Sequence, residues 1–132
     1  MMRHTIVMLT GICLATGILA VAAADPQEKG SRTWAAPRAA DEPRNPLQHQ
    51  PDTWAGGTKV FLQRCAACHA SDGTGTSRGP NLMTGRVQQQ SDGALFWKIS
   101  SGNTRGGMPS FSFLPAAQRW QLVSHLRTAA RQ

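Results

Sequence analysis

Hydrophobic positions in this chain form one long run near the start and, much later, three short periodic clusters. The run extends from Ile6 to Val21 and is broken only by Thr10, Gly11, Thr16 and Gly17. Between Asp25 and Pro51 the apolar content falls to Trp34, Leu47 and a few alanines, and five prolines interrupt any helical period. Such a stretch buries too little to offset its ordering entropy, so residues 25–51 are expected to form a Pro-rich flexible leader. Periodicity returns after Asp52, a candidate N-cap for a helix over 53–65. Gly57, Phe61 and Cys65 recur there at i, i+4 and i+8 and share one helical face. A mid-helix glycine costs about 1 kcal/mol relative to alanine, and a close helix crossing is one reason to tolerate it.

Residues 71–85 contain Gly73, Gly75, Gly79, Pro80 and Gly85 and read as a loop. A second helix is expected to start at Ser91 or Asp92, to pair Leu95 with Ile99, and to end at Gly102. Another loop covers 103–114. The last helix opens with Pro115 and carries Trp120, Leu122, Val123, Leu126 and Ala129 as an apolar stripe. No strand pattern of useful length occurs. The pattern therefore predicts an all-α domain over 52–132, with three to four short helices joined by long loops.

The chain of 132 residues allows one folded domain. Its opening fits a secretory signal peptide over 1–24: Arg3 and His4, the apolar run, then Ala22-Ala23-Ala24 before Asp25. An uncleaved membrane anchor is the alternative, since about 20 apolar residues span a bilayer. Cleavage would remove Cys13 and leave only Cys65 and Cys68, so no disulfide framework is expected in the exported protein. The expected location is periplasmic.

Those two cysteines stand in Cys65-Ala66-Ala67-Cys68-His69, the C-x-x-C-H attachment string of a c-type haem. In such a string the thiols add to the porphyrin vinyl groups, and the adjacent imidazole becomes a ligand of the iron. A zinc site would need further thiols or imidazoles in a second string, and none exists. A thioredoxin-like pair would sit near a β-α-β pattern, which is also missing. The glycine-rich loop that follows lacks the G-x-x-x-x-G-K-[ST] pattern of a phosphate cradle. One covalent haem c, with iron, is the expected cofactor. It would also supply the apolar surface that a domain of this size lacks.

The other face of the iron decides between electron transfer and the binding of gas or peroxide. Met108 lies in Gly106-Gly107-Met108-Pro109, a loop shaped to present one side chain, and is the favoured second ligand. Met83 and His49 are its rivals, and a gap-filling role is the ordinary fate of a methionine. Arg78, Arg86, Arg105 and Trp97 are candidate partners for the haem propionates.

From Asp52 to Arg131 the chain resembles the class I c-type cytochromes. The resemblance is carried by Cys65-Ala66-Ala67-Cys68-His69, Gly79-Pro80-Asn81-Leu82, Gly107-Met108-Pro109, and the Gly57–Phe61 pair ahead of Cys65. It implies the cytochrome c fold wrapped around one haem, with His69 and Met108 on the iron. It also implies that the Pro80 carbonyl receives the His69 N–H and that Gly57 and Phe61 cross the last helix near Leu122 and His125. The family usually has an aromatic residue, often tyrosine, where His125 stands. The implied function is single-electron carriage through a haem edge near Cys65 and Cys68, without catalysis by the chain itself. A haem subunit of a larger periplasmic dehydrogenase or reductase, and a gas- or peroxide-binding protein, are the alternatives.

The chain carries 14 Lys and Arg against 7 Asp and Glu, a formal charge of +7. That balance suits redox partner proteins with acidic docking faces. Scattered arginines, the lack of a nucleic-acid motif and the export signal argue against nucleic-acid binding. Contact with a membrane is expected only if the N-terminal segment stays uncleaved.

Overall fold

The structure, a computed structural model, describes residues 34–132. The expected signal peptide and residues 25–33 of the leader lie outside them. Among the described residues there are five α-helices and no strand: α1 (Thr53–Arg64), α2 (Ala66–His69), α3 (Gly85–Gln88), α4 (Asp92–Ser101) and α5 (Ala116–Ala129). The all-α expectation holds. No helix among them is long and apolar enough to cross a membrane.

The core forms where α1, α4 and α5 meet. Phe61, Leu122 and Val123 are fully enclosed, and Leu95, Ile99, Phe111, Leu114 and Leu126 complete the cluster. Each such side chain contributes about 1.5–3 kcal/mol by leaving water. The α1–α5 crossing is the tightest contact, and Gly57 is the reason it can be. A Cβ at Gly57 would lie 2.0 Å from the Gln121 carbonyl oxygen and 2.8 Å from His125 Cβ. The helix backbones touch there, as the resemblance implied. His125 fills the aromatic position: its ring centroid lies 4.7 Å from that of Phe61, tilted by 40°.

Helix ends follow local chemistry. The Ser91 hydroxyl accepts the Ala94 N–H at 3.0 Å and starts α4 as expected. Asp52 does not cap α1 with its side chain; it sits at φ 61°, and its carbonyl accepts the Ala55 and Gly56 N–H groups. Thr53 donates instead to the Gln50 carbonyl at 2.9 Å. Helix α5 begins one residue after Pro115, and α3 is a single turn that no hydrophobic period marks.

The leader requires a correction. Residues 34–51 pack along α4 and α5, and a short 3-10 helix spans Arg38–Asp41. Asn45 is only 3% exposed. Its amide donates to the Trp120 carbonyl at 3.1 Å and to the Ser124 hydroxyl at 2.8 Å, while its oxygen accepts the Leu47 N–H. Ser91 donates to Asp41 at 2.7 Å. Gly93 lets the strap lie on α4, because a Cβ there would come within 2.1 Å of the Ala40 carbonyl oxygen. Polar and backbone contacts hold this segment, which apolar content could not reveal.

Candidate functional site

The turn that joins α1 to α2 carries both cysteines and the histidine. The Cys65 carbonyl accepts the N–H groups of Cys68 and His69, each at 3.0 Å, which winds the C-x-x-C-H string into one helical turn. Both thiols are free and half-buried. Burial, and then the neighbouring Cys68, push the Cys65 thiol up to about 11. A redox-active C-x-x-C pair needs the opposite shift. Among the described residues no group of three or more His, Cys, Asp or Glu side chains could hold a metal ion, so the zinc alternative lacks a ligand set.

His69 is 8% exposed. Its Nδ1–H donates to the Pro80 carbonyl at 2.9 Å, which fixes the ring and leaves Nε2 as the free nitrogen. Gly79 makes that approach possible: a Cβ there would lie 2.8 Å from the Cys68 carbonyl oxygen and 3.1 Å from His69 Cε1. The loop is further tied to the turn by Thr76, which donates to the Cys68 carbonyl at 2.6 Å, and by Arg78, which donates to the Ala67 carbonyl. Arg78 is therefore engaged at the attachment turn. The reading of the sequence missed Thr76, although a hydroxyl in a glycine-rich loop is a recognised former of local turns.

Met108 is half-buried against the core cluster, as are Val60, Cys65, Ala66, Leu82, Met83, Val87, Phe96 and Trp120. Asn103 and Met108 exchange backbone hydrogen bonds of 2.8 and 2.9 Å, which closes the loop that presents the methionine. Gly102 anchors that loop at φ 66°, where a Cβ would lie 2.5 Å from the Pro109 carbonyl. Met83 nests against Gly73, whose Cβ would meet the methionine methyl at 2.6 Å. His49 is exposed on the strap and pairs with the Gln48 amide at 2.8 Å. Arg86 is exposed on α3, whereas Trp97 and Arg105 line one cavity beside the Met108 loop.

These residues fit a haem. Two unbonded thiols lie on one turn beside a histidine whose outer nitrogen is already satisfied. The glycine cradle at Gly79 keeps that ring close to the backbone. Val60, Cys65, Ala66, Leu82 and Met108 pack on the core while only partly buried, so apolar side chains remain available to a flat apolar cofactor.

Comparisons with known proteins agree with this geometry. The family model described as cytochrome c oxidase, cbb3-type, subunit III matches residues 52–126, more than half of the chain. No curated protein matches it. Among solved structures it is similar to cytochrome CL from the marine methylotrophic bacterium Methylophaga aminisulfidivorans MPT, at 21% identity and a TM-score of 0.56. That match covers 64% of this chain and 60% of the cytochrome CL chain, and at such identity it shows the fold alone. A cytochrome c domain implies a covalently bound haem c and haem-based electron transfer. The chain belongs to the matched family and is a class I c-type cytochrome.

Proposed function

We propose that this chain is an exported, periplasmic single-electron carrier with one haem c, attached through Cys65 and Cys68 and ligated by His69 and Met108. The observation that carries the reading is the His69–Pro80 hydrogen bond at 2.9 Å beside two free thiols on the same turn. When bound, the haem supplies reversible one-electron chemistry at its iron. The chain's own residues do the rest. Cys65 and Cys68 hold one edge of the group, and the Pro80 carbonyl keeps the His69 imidazole oriented and basic. The Met108 thioether would be the second ligand of the iron, which would keep small ligands off and raise the potential.

Basic residues flank the attachment turn. Arg64 directly precedes Cys65, and its guanidinium lies 6.0 Å from the ring centroid of Phe113, which is 66% exposed. With a chain charge of +7, this surface suits an acidic partner and predicts exchange rates that fall as salt rises. The family description names an oxidase subunit, which favours a second reading, that of a haem subunit in a larger oxidoreductase. Purification from native membranes and periplasm decides between them: a stable stoichiometric partner supports the subunit, a free monomer the carrier.

The spectrum of the purified chain in both redox states tests the haem reading. Low-spin iron with a methionine–iron charge-transfer band in the oxidised form is expected. The Met108→Ala variant should lose that band, bind carbon monoxide promptly and show a lower potential. A wild-type spectrum that is high-spin, or that responds promptly to carbon monoxide, would sink the His/Met assignment.

A further inference from the structure

The loop that carries Met108 is mounted on the last turn of α4. On its returning side the Phe111 N–H donates to the Ile99 carbonyl at 3.1 Å. The Ser110 hydroxyl donates to the Ser100 carbonyl at 2.6 Å. Gly102 allows the close approach, since a Cβ there would lie 2.5 Å from the Pro109 carbonyl. The Met108 backbone therefore moves with α4, or leaves only when these contacts break.

Helix α4 is held in turn by the strap. Asp41 accepts the hydroxyl of Ser91, the α4 cap, at 2.7 Å. Gly93 is buried against the strap: a Cβ there would lie 2.1 Å from the Ala40 carbonyl oxygen and 2.7 Å from that of Pro43. Further along α4, Lys98 Nζ stands 4.8 Å from the centroid of the Trp34 ring. The same strap is fixed to α5 by the buried Asn45, whose amide donates to the Trp120 carbonyl and the Ser124 hydroxyl. One segment thus bridges α4 and α5. Arg127 and Arg119 of α5 also bond α4 directly, to Asp92 and Ser100, so the strap reinforces an existing contact. A mere spacer needs no buried amide, and such an amide is costly unless its partners stay in place.

We propose that the strap is a positioning element for the second iron ligand: it clamps α4 to α5, keeps the Met108 loop closed and slows the departure of Met108 from the iron. The assignment rests on the Met108 ligation proposed above. It goes beyond that reading because residues 34–51 lie outside those matched by the family model, 52–126. A ligand carried on a loop leaves by local opening, and the free energy of opening depends on how firmly the supporting element is held. Asn45 and Gly93 act on Met108 through that support.

The test compares the full-length, haem-loaded chain with its Gly93→Ala, Asn45→Ala and Asp41→Asn variants. Alanine at position 93 displaces the strap while favouring the helix itself, so a loss there cannot come from the propensity of α4. In the oxidised protein, imidazole should displace the methionine about tenfold faster in Gly93→Ala and Asn45→Ala, the equivalent of about 1.4 kcal/mol. The methionine–iron charge-transfer band reports the displacement. Asp41→Asn alters one exposed contact, cannot prevent folding, and should give a smaller rise in the same direction, which keeps the test decisive if the other variants do not accumulate. Amide hydrogen exchange separates this role from general loosening. Met108 and Phe111 should exchange faster in the variants, whereas Cys65, bonded to the Phe61 carbonyl at the end of α1, should not. Displacement rates that coincide with wild type overturn the assignment, even if the variants are less stable, and so does an equal rise in exchange at Cys65. A wild-type chain without the methionine–iron band overturns the Met108 ligation itself, and the assignment with it.

Discussion

Ala70 follows His69 directly and adopts φ 63° and ψ 161°, a region that only glycine occupies without strain. The strain sits where the attachment turn must leave its helical course and enter the glycine-rich loop. Replacing Ala70 with glycine removes the Cβ clash but adds freedom to the unfolded chain, terms of about 1–3 and 0.5–1 kcal/mol. The Ala70→Gly variant should be more stable by about 1 kcal/mol, read as a higher denaturant midpoint at an unchanged slope. An equal or lower midpoint would show that the turn is not strained. His125 makes a different kind of prediction. Burial lowers its pKa from the ordinary 6.5, so the folded protein keeps the ring neutral against Phe61 and within 2.9 Å of the Thr58 hydroxyl. Unfolding frees the ring to take up a proton below about pH 6.5. Its contribution to stability is complete above that pH and is lost as the pH falls toward the folded-state value. Denaturant midpoints of wild type and His125→Phe from pH 7.5 to 5 should diverge, with the wild type losing more on acidification. Parallel curves would assign the loss to other groups.

At the scale of elements, the α1–α5 crossing concentrates most of the fold's demand on one position. A methyl at Gly57 would stand 2.0 Å from the Gln121 carbonyl oxygen, far inside contact distance, and backbone cannot rotate away as a side chain can. The Gly57→Ala variant should therefore lose about 2–4 kcal/mol, although alanine is the better helix former by about 1 kcal/mol. A loss below the propensity gain would mean that the helices separate freely. The shared face of Gly57, Phe61 and Cys65 was legible in the sequence because they keep a helical period that ends on a chemical landmark, whereas the helix that crosses it came from the family resemblance. The attachment turn was legible because five consecutive residues suffice to write it. The strap was not. Asn45, Ser91 and Gly93 bind it by side-chain amide, hydroxyl and backbone contacts whose partners are remote in sequence, and such contacts leave no period behind. Helix α3, at Gly85–Gln88, was missed because one turn cannot show an amphipathic pattern. The left-handed Asp52 shows the same limit, since a capping residue type does not ensure capping geometry.

Across the whole molecule, the core of α1, α4 and α5 is edged by apolar side chains that are only partly buried. Val60, Ala66, Leu82, Val87, Phe96 and Trp120 pack against it while only partly buried, and Cys65, one of the two free thiols, packs against it as well. Domains of about 80 residues are marginal without a staple, because the apolar area they bury barely exceeds the entropy of ordering the chain. A covalent haem would serve as that staple: it would cover apolar side chains that are only partly buried and, under the proposed ligation, tie the attachment turn to the Met108 loop. The chain lacking both thiols should therefore fold poorly even though every helix keeps its residues. The Cys65→Ala, Cys68→Ala double variant should give a weakened helical circular-dichroism signal and no cooperative thermal transition, while the wild type with haem attached melts cooperatively. Each alanine is small and helix-compatible at its position, so the loss could not be charged to the substitutions alone. A haem-free double variant that melts cooperatively near the wild-type temperature would show that the helices close the core unaided, and the haem would then be cargo rather than part of the fold.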